Sequence, residues 1–295
     1  MLLGGCLCIL SRGAGRRRTI IESVISNVFI RQEEVTMKTR FGNPVWASIV
    51  VLMLVSLNGA CQGEVRHYQL PEGKRTSGKT LSVYLPEDYS KSDAHYPVVY
   101  LLHGCGGNNL TFLGGGYVGL MSNANVGVIA DELRQKNHIN LPIIVCPDLN
   151  TIGSYAVYLL RNVIPFVDAT FRTIPSRESR AIAGHSIGGY RALSLALEHP
   201  EVFGIAGGLS SYVTTVTQFD GLVKERNQEP GPILFWLYAG RQEPYGITQP
   251  NRDLVELLKT NNLSATYVED DGNHESEVAM RLGELLEYLS QWLKR

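Results

Sequence analysis

A serine flanked by glycines is the first feature of this 295-residue sequence that could do chemistry. The motif Gly-x-Ser-x-Gly occupies residues 184–188, with Ser186 at its centre. An apolar stretch at 180–183 predicts a strand before it, and another at 187–197 predicts a helix after it. A sharp strand-to-helix turn exposes the serine hydroxyl, and glycines are needed where the two backbones crowd together. The pattern predicts that Ser186 is a nucleophile for acyl transfer.

A serine hydroxyl at its ordinary pKa needs a general base, which follows the nucleophile along the chain in this strand–turn–helix arrangement. Two histidines follow Ser186 in the sequence. His199 lies at the far end of the predicted helix, one helix length from the hydroxyl. His274 follows a predicted strand and precedes the last helix, so it is the predicted base. His185, next to the serine, is expected to face away from it and to shape the turn.

A carboxylate should orient the base and stabilise its charged form. The predicted strand at 232–239 ends in Gly-Arg-Gln-Glu, which makes Glu243 the best-placed acid. Asp253, which opens the next predicted helix, remains the alternative. Asp270 and Asp271 are too close to the histidine along the chain to reach its far nitrogen easily.

Two backbone N–H groups should hold the negative charge that develops on a carbonyl oxygen. One is the N–H of Ile187, directly after the serine. The other is expected from the loop His103-Gly104-Cys105, after the buried strand that ends at Leu102, and Cys105 is the predicted donor. The alternative role for His103 and Gly104 is simple termination of that strand.

Strands alternate with helices along the part of the chain that carries these residues. Nearly continuous apolar runs at 96–102 and 141–146 suit strands buried on both faces of a sheet. Further strands are predicted at 80–85, 202–209, 232–239 and 264–269, with further helices at 126–136 and 155–166. The last helix carries a stripe expected to pack in the core, formed by Val278, Leu282, Leu285, Leu289 and Trp292. This alternation predicts an α/β fold, a mostly parallel sheet with helices on both faces.

The N-terminal region has the pattern of a targeting segment. Residues 37–60 combine a short basic start, an apolar run at 45–57 that is short for a bilayer span, and small residues before Cys61, as in a signal peptide. The alternative is an uncleaved membrane anchor. Residues 57–61 resemble a bacterial lipobox with Asn58 in place of the preferred leucine, so a lipid tether through Cys61 and ordinary cleavage both stay open. Residues 1–36 are expected to be a non-native upstream extension or an unusual leader, and 61–295 a single catalytic domain.

Charge and cysteine content exclude several classes of protein. The net charge of −1 and the pI of about 6.7 argue against a nucleic-acid-binding surface. The five cysteines show neither CxxC pairs nor metal-ligand spacing, which argues against a zinc module and a disulfide scaffold. A disulfide between Cys105 and Cys146 stays open, because an exported protein can form one.

From about Leu81 to the C-terminus the chain resembles the Putative esterase family of α/β-hydrolases, which includes feruloyl esterases, enterochelin esterases, S-formylglutathione hydrolases and mycolyltransferases. The resemblance implies the α/β-hydrolase fold, a Ser/acid/His triad, no cofactor, and ester hydrolysis or acyl transfer through an acyl-enzyme. The family's usual aspartate is here Glu243. The matching stretches are 83–86, 96–104, 164–168, 180–190 and 199–203.

Taken together, these features predict an exported serine esterase, found in the periplasm, outside the cell or on a membrane as a lipoprotein. Its expected substrate is an acyl- or feruloyl-decorated carbohydrate or another small ester, with residues 108–125 and 212–231 as walls of the substrate site. An acyltransferase of the mycolyltransferase type and a siderophore esterase are the alternatives. The export signal counts against a cytosolic S-formylglutathione hydrolase, and an intact Ser186 and His274 count against an inactive carbohydrate-binding relative.

Overall fold

The structure is a computed structural model that describes residues 62–70, 76, 78–115, 124–137, 139, 141–150, 154–225, 231 and 233–294. The predicted signal peptide, Cys61 and residues 1–36 lie outside the described residues, as do 116–123 and 226–230 of the predicted substrate walls. Residues Ala60–Arg295 group into one compact unit. Among the residues that the structure describes, none of the helices combines the length and the hydrophobicity that crossing a bilayer requires.

Within the described ranges, eight strands form one sheet in the order β1-β2-β4-β3-β5-β6-β7-β8. The strands are β1 (Glu64–Gln69), β2 (Thr80–Leu85), β3 (Val98–Leu102), β4 (Ile143–Pro147), β5 (Arg180–His185), β6 (Ile205–Leu209), β7 (Leu234–Tyr238) and β8 (Ser264–Val268). β2 pairs antiparallel with both β1 and β4, whereas every other neighbouring pair is parallel. The mostly parallel sheet predicted from the sequence is therefore confirmed. β1 was not predicted.

The helices cover both faces of the sheet. In the part of the chain that the structure describes they are α1 (Val126–Asn137), α2 (Tyr155–Tyr158), α3 (Ile164–Thr170), α4 (Ile187–Glu198), α5 (Thr217–Glu225), α6 (Thr248–Thr260) and α7 (Val278–Trp292), with a π turn (Leu159–Val163) that joins α2 to α3. β3 shows how the layers form, because its side chains alternate between two cores. Tyr100 and Leu102 join the core under α3 to α6, whereas Val99 and Leu101 join the core under α1 and α7.

The predicted core stripe of α7 is wrong at its last member. The stripe is buried through Leu289, but the Trp292 side chain is 53% exposed and its ring lies 6.3 Å from that of Tyr288. At 3.6 residues per turn, the buried position after Leu289 falls four residues on. Leu293, which is 6% exposed, takes that place in the core.

The described part of the predicted substrate wall 212–231 is more than a loop. It contains α5, whose Phe219 and Val223 side chains are fully buried against the sheet. Because only two side chains of this helix are fully buried, no apolar run in the sequence was long enough to indicate it.

The carboxyl ends of the parallel strands meet at one edge of the sheet. Register aligns Leu102 of β3 with Gly184 of β5, and Gly184 with Gly208 of β6. On the far side, Tyr238 of β7 lies opposite Val268 of β8. The loops that leave these strands therefore gather at the edge where open α/β sheets bind their ligands.

Candidate active site

Ser186 occupies a strained turn between β5 and α4. Its backbone has φ 58° and ψ −123°, a conformation that residues with a side chain rarely adopt. Glycines are required on both sides. A Cβ on Gly184 would lie 2.4 Å from the Gly188 carbonyl carbon, and one on Gly188 would lie 2.3 Å from the Leu102 carbonyl oxygen. The structure thus has the strand–turn–helix geometry predicted for Ser186.

The loop after β3 packs directly against this turn. A Cβ on Gly104 would lie 3.3 Å from the Ser186 Cβ, so the loop packs close to the serine and leaves little room for a side chain at this position. Cys105 follows on the exposed side of the loop, and Ile187 begins α4. The two residues predicted to donate backbone N–H groups to an oxyanion thus flank Ser186, one on the neighbouring loop and one in the chain.

His103 fixes this loop rather than only ending β3. Its Nε2 atom accepts a 2.9 Å hydrogen bond from the Leu149 N–H after β4, and its Nδ1–H donates to the Gly104 carbonyl at 2.8 Å. Burial, and to a lesser degree the charge of Arg191, lower the pKa of His103. The ring therefore stays neutral and ties the ends of two neighbouring strands together.

His274 and Glu243 come together as a buried pair. The His274 Nδ1 atom lies 2.7 Å from Glu243 Oε2, and the two side chains are 8% and 0% exposed. Since the carboxylate accepts this bond, Nδ1 carries the proton and Nε2 remains an acceptor. This is the tautomer that a general base needs. Asp253, the alternative acid, is instead bonded to Gln249 on the exposed side of α6.

The loops that carry the acid and the base are joined through their backbones. The Arg241 N–H donates to the Asp270 carbonyl at 2.8 Å, and the Gln242 N–H donates to the Gly272 carbonyl at 3.0 Å. Gly240 permits this contact, because a Cβ there would lie 2.0 Å from the Gly272 carbonyl oxygen. These backbone contacts therefore hold the loop of Glu243 beside the loop of His274.

His185 contacts the base, which the sequence did not predict. Its Nε2–H donates to the His274 carbonyl at 2.8 Å, and the two ring centroids are 4.8 Å apart. Burial, together with the nearby His274, lowers the pKa of His185 to about 3. A neutral ring therefore supports the base from behind, which agrees with the predicted shaping role.

We expect His185 to make the protein sensitive to acid. Between about pH 3 and its ordinary pKa of 6.5, the unfolded chain protonates this residue and the folded chain does not. The free energy of unfolding therefore decreases as the pH falls through that window. In His185→Gln, the loss of stability between pH 7 and pH 4.5, measured by urea unfolding, should shrink by roughly 2 kcal/mol. His199→Gln, at a partly exposed position, is the matched control, and parallel curves for wild type and His185→Gln would contradict the account.

Two tyrosines that the sequence did not single out border the base. The Tyr245 ring packs edge-on at 4.8 Å from the His274 ring, and the Tyr212 ring lies 6.1 Å from that of Tyr245. The Tyr212 N–H also donates to the Ser186 carbonyl at 2.9 Å, which brings serine and base to one side of the sheet edge. Both rings are partly open to solvent, with 57% of Tyr245 and 39% of Tyr212 exposed. No local sequence pattern distinguishes these tyrosines, because loop packing alone brings them to the site.

The remaining candidates are placed away from this chemistry. No disulfide joins Cys105 and Cys146, although their strands are parallel neighbours. His199 pairs with Glu201 on the surface at the end of α4. Within the part of the chain that the structure describes, no cluster of histidine, cysteine, aspartate or glutamate has the makings of a metal site.

Comparison with known families agrees with this geometry. A family model described as Putative esterase matches residues 76–276, which include Ser186, Glu243 and His274. The chain therefore belongs to the Putative esterase family, as its resemblance predicted. The family is described as one of esterases.

Relatives of this chain include several esterases. An endo-1,4-β-xylanase/feruloyl esterase of Xylanibacter ruminicola is 28% identical over 212 residues, which cover 67% of this chain and 27% of the relative. An esterase of Mycobacterium tuberculosis is 31% identical over 156 residues, covering 48% and 31%. An acetyl esterase of Caldicellulosiruptor saccharolyticus is 25% identical over 212 residues, covering 60% and 76%. The chain thus spans less than a third of the length of the first two relatives.

Solved structures share the fold. A ferulic acid esterase superposes with a TM-score of 0.66 at 18% identity, covering 79% of this chain and 99% of the other. A ferulic acid esterase of Anaeromyces mucronatus, solved with ferulic acid, gives 0.65 at 18% identity, with 80% and 93% covered. A fluorophosphonate-binding serine hydrolase of Staphylococcus aureus gives 0.63 at 20% identity, with 78% and 99% covered. These similarities confirm the predicted α/β-hydrolase fold.

Proposed function

We propose that this chain is an exported serine esterase that forms an acyl-enzyme on Ser186, with His274 as base and Glu243 as acid. The observation that carries the proposal is the 2.7 Å hydrogen bond between His274 and a fully buried Glu243, beside the strained Ser186 turn. A buried carboxylate is costly unless it is paired. Its pairing here fixes the histidine tautomer that serine activation requires.

The proposed reaction has two steps. Ser186 attacks the ester carbonyl while His274 Nε2 takes the hydroxyl proton, and the N–H groups of Cys105 and Ile187 hold the oxyanion. His274 then protonates the departing alcohol, which leaves the acyl group on the serine. A water molecule, activated by the same histidine, releases the acid. Glu243 keeps its charge throughout and stabilises the imidazolium.

The proposed substrate is an acyl- or feruloyl-decorated carbohydrate. The departing oxygen must come within hydrogen-bonding distance of His274, so the alcohol half of the ester would lie beside Tyr245 and Tyr212. Their partly exposed rings offer an apolar surface to a sugar ring. Relatives named for feruloyl and acetyl ester hydrolysis support the same class of substrate.

Export is supported by the sequence of residues 37–61, with its basic start, apolar run and small residues before a cysteine. An extracellular or periplasmic location would give the enzyme access to polysaccharide esters. Whether Cys61 is lipidated is decided by the mass of the mature N-terminal peptide from membranes.

A panel of hydrolysis assays tests the function. The proposal predicts turnover of short-chain nitrophenyl esters and of acetylated xylan or methyl ferulate, and release of the acyl group to water faster than to an added alcohol. Exclusive transfer to the alcohol would establish an acyltransferase instead, and preferred turnover of a siderophore ester would reassign the substrate. No turnover of any ester in the panel would contradict the proposal.

Tyr245 should matter for sugar esters more than for simple ones. We expect Tyr245→Ala to lower kcat/KM for an acetylated xylo-oligosaccharide roughly 2- to 10-fold more than for ethyl acetate, the loss typical of one aromatic contact. The comparison holds the acyl group constant and changes only the alcohol. Equal losses on the two esters would show that Tyr245 supports His274 and does not contact the sugar.

A further inference from the structure

We propose that Arg191 and Tyr155 form an anion-binding subsite beside Ser186, and that the acyl group of the natural substrate carries a carboxylate. The inference rests on the proposed function and narrows the acyl half of its substrate. A carboxylate-bearing acyl group would be preferred over neutral acetate or ferulate.

Arg191 lies on the face of α4 that leads back to the nucleophile. It is four residues after Ile187, and helical side chains lean toward the N-terminus, so the Arg191 side chain is directed toward the first turn. Its guanidinium carbon lies 4.8 Å above the centre of the ring of Tyr155, the first residue of α2. Its charge also acts on the Cys105 thiol, in the loop that packs against Ser186. Arg191 therefore lies on the oxyanion-loop side of the serine.

Among the residues that the structure describes, no carboxylate neutralises the charge of Arg191. The side chain is half-buried, and burial lowers its pKa. Within the described residues, the groups that favour its charged form are Tyr155 and Cys105, and no carboxylate lies within ion-pair distance. By contrast, Arg180, which is more deeply buried, pairs with Asp168 at 2.8 Å.

Leaving Arg191 without a carboxylate has a cost. A partly buried cation is unfavourable when unpaired, and a cation directed toward the positive end of a helix adds repulsion. When a guanidinium stacks on an aromatic ring, one of its flat faces is covered and its N–H groups remain open at the edge. These N–H groups form a planar fork that matches the two oxygens of a carboxylate. A carboxylate on the substrate would supply the missing charge.

The position of the subsite selects the acyl half of the ester. His274 takes the departing oxygen, so the alcohol lies on the Tyr245 side of the serine. Arg191 interacts with the charge of Cys105, whose loop leaves β3 on the opposite side of β5 from β7 and β8. A substrate whose carbonyl oxygen is held by the N–H groups of Cys105 and Ile187 would direct its acyl chain, and not its alcohol, toward the guanidinium.

Matched nitrophenyl esters provide the kinetic test. The 4-nitrophenyl half-esters of succinate, glutarate and adipate are compared with 4-nitrophenyl esters of unbranched neutral acids of equal chain length, each corrected for spontaneous hydrolysis. The leaving group is constant, so the ratio of kcat/KM reports the acyl charge. We expect at least one half-ester to be favoured roughly 10- to 100-fold, the range of one charged hydrogen-bonded pair. The preference should weaken as salt concentration rises.

Substitutions at Arg191 identify the source of the preference. Arg191→Gln should lower the ratio of half-ester to neutral ester to near one, and Arg191→Lys should restore part of it. Arg161→Gln, which removes an equal charge from an exposed position, is the matched control and should keep the ratio. Equal losses on both kinds of ester in Arg191→Gln would overturn the proposal, because the charge would then act on the oxyanion common to both.

Binding without turnover separates the subsite from the function. Calorimetry on Ser186→Ala should detect monomethyl adipate at least about tenfold more tightly than dimethyl adipate, with the difference lost in Ser186→Ala/Arg191→Gln. Equal affinity for the two would overturn the subsite even if the wild type hydrolyses esters. Selective binding without any hydrolysis by the wild type would support the subsite and reject the proposed function.

Discussion

Replacing Ser186 with alanine is expected to lower kcat for 4-nitrophenyl acetate on the order of 10⁴- to 10⁶-fold, the largest effect of any single substitution in this chain. The variant loses the hydroxyl oxygen to which the acyl group is proposed to bond. The strained φ of 58° is retained by alanine, so the turn itself should persist.

A matched serine separates loss of chemistry from loss of fold. Ser194 lies in α4, the helix that follows Ser186, and its side chain is buried, with 3% exposed. Ser194→Ala should keep kcat within a few-fold of the wild type, while both variants should unfold near the wild-type urea midpoint. Near-wild-type hydrolysis by Ser186→Ala would show that Ser186 is not the nucleophile.

Replacing Glu243 with glutamine should produce the second-largest effect, a fall in kcat on the order of 10³- to 10⁴-fold. The amide removes the charge that stabilises the imidazolium and can donate to Nδ1, which would favour the wrong tautomer. Glu243 is 0% exposed and 2.7 Å from His274, so solvent cannot substitute for its charge. The measurement is the kcat of the purified variant on the same nitrophenyl ester.

Asp253→Asn is the control for the acid, since Asp253 was the alternative in the sequence. It bonds to Gln249 on the exposed side of α6, so its substitution should leave kcat within a few-fold of the wild type. The reverse pattern, with an active Glu243→Gln and an inactive Asp253→Asn, would reassign the acid and require the segment 240–253, including the start of α6, to rearrange in solution.

The parallel strands at the centre of the sheet were predictable, because a strand buried on both faces has a continuous apolar run in its sequence. Val98–Leu102 is fully buried, and its run is visible in the sequence. β1 was missed because it is an edge strand, mostly exposed and polar, that pairs only with β2. The Trp292 prediction was wrong for a different reason, since the buried stripe continues after Leu289 by a step of four residues, to Leu293, and not by a step of three.

Chain order and local motif predicted where Ser186 and His274 would lie, because a nucleophile turn needs glycines and its base comes from a later loop. The acid stayed open between Glu243 and Asp253, since the choice depends on how two loops pair through Gly240 and Gly272. The surroundings of the base and Arg191 left no pattern in the sequence. Those contacts join residues far apart along the chain.

Covalent labelling tests the central claim most directly. A fluorophosphonate reacts with an activated serine and stays attached, so intact-protein mass spectrometry should show a single adduct, and peptide mapping should place it on Ser186. The adduct should be absent from Ser186→Ala and form much more slowly in Glu243→Gln. An adduct on another residue, or undiminished labelling of Ser186→Ala, would contradict the account.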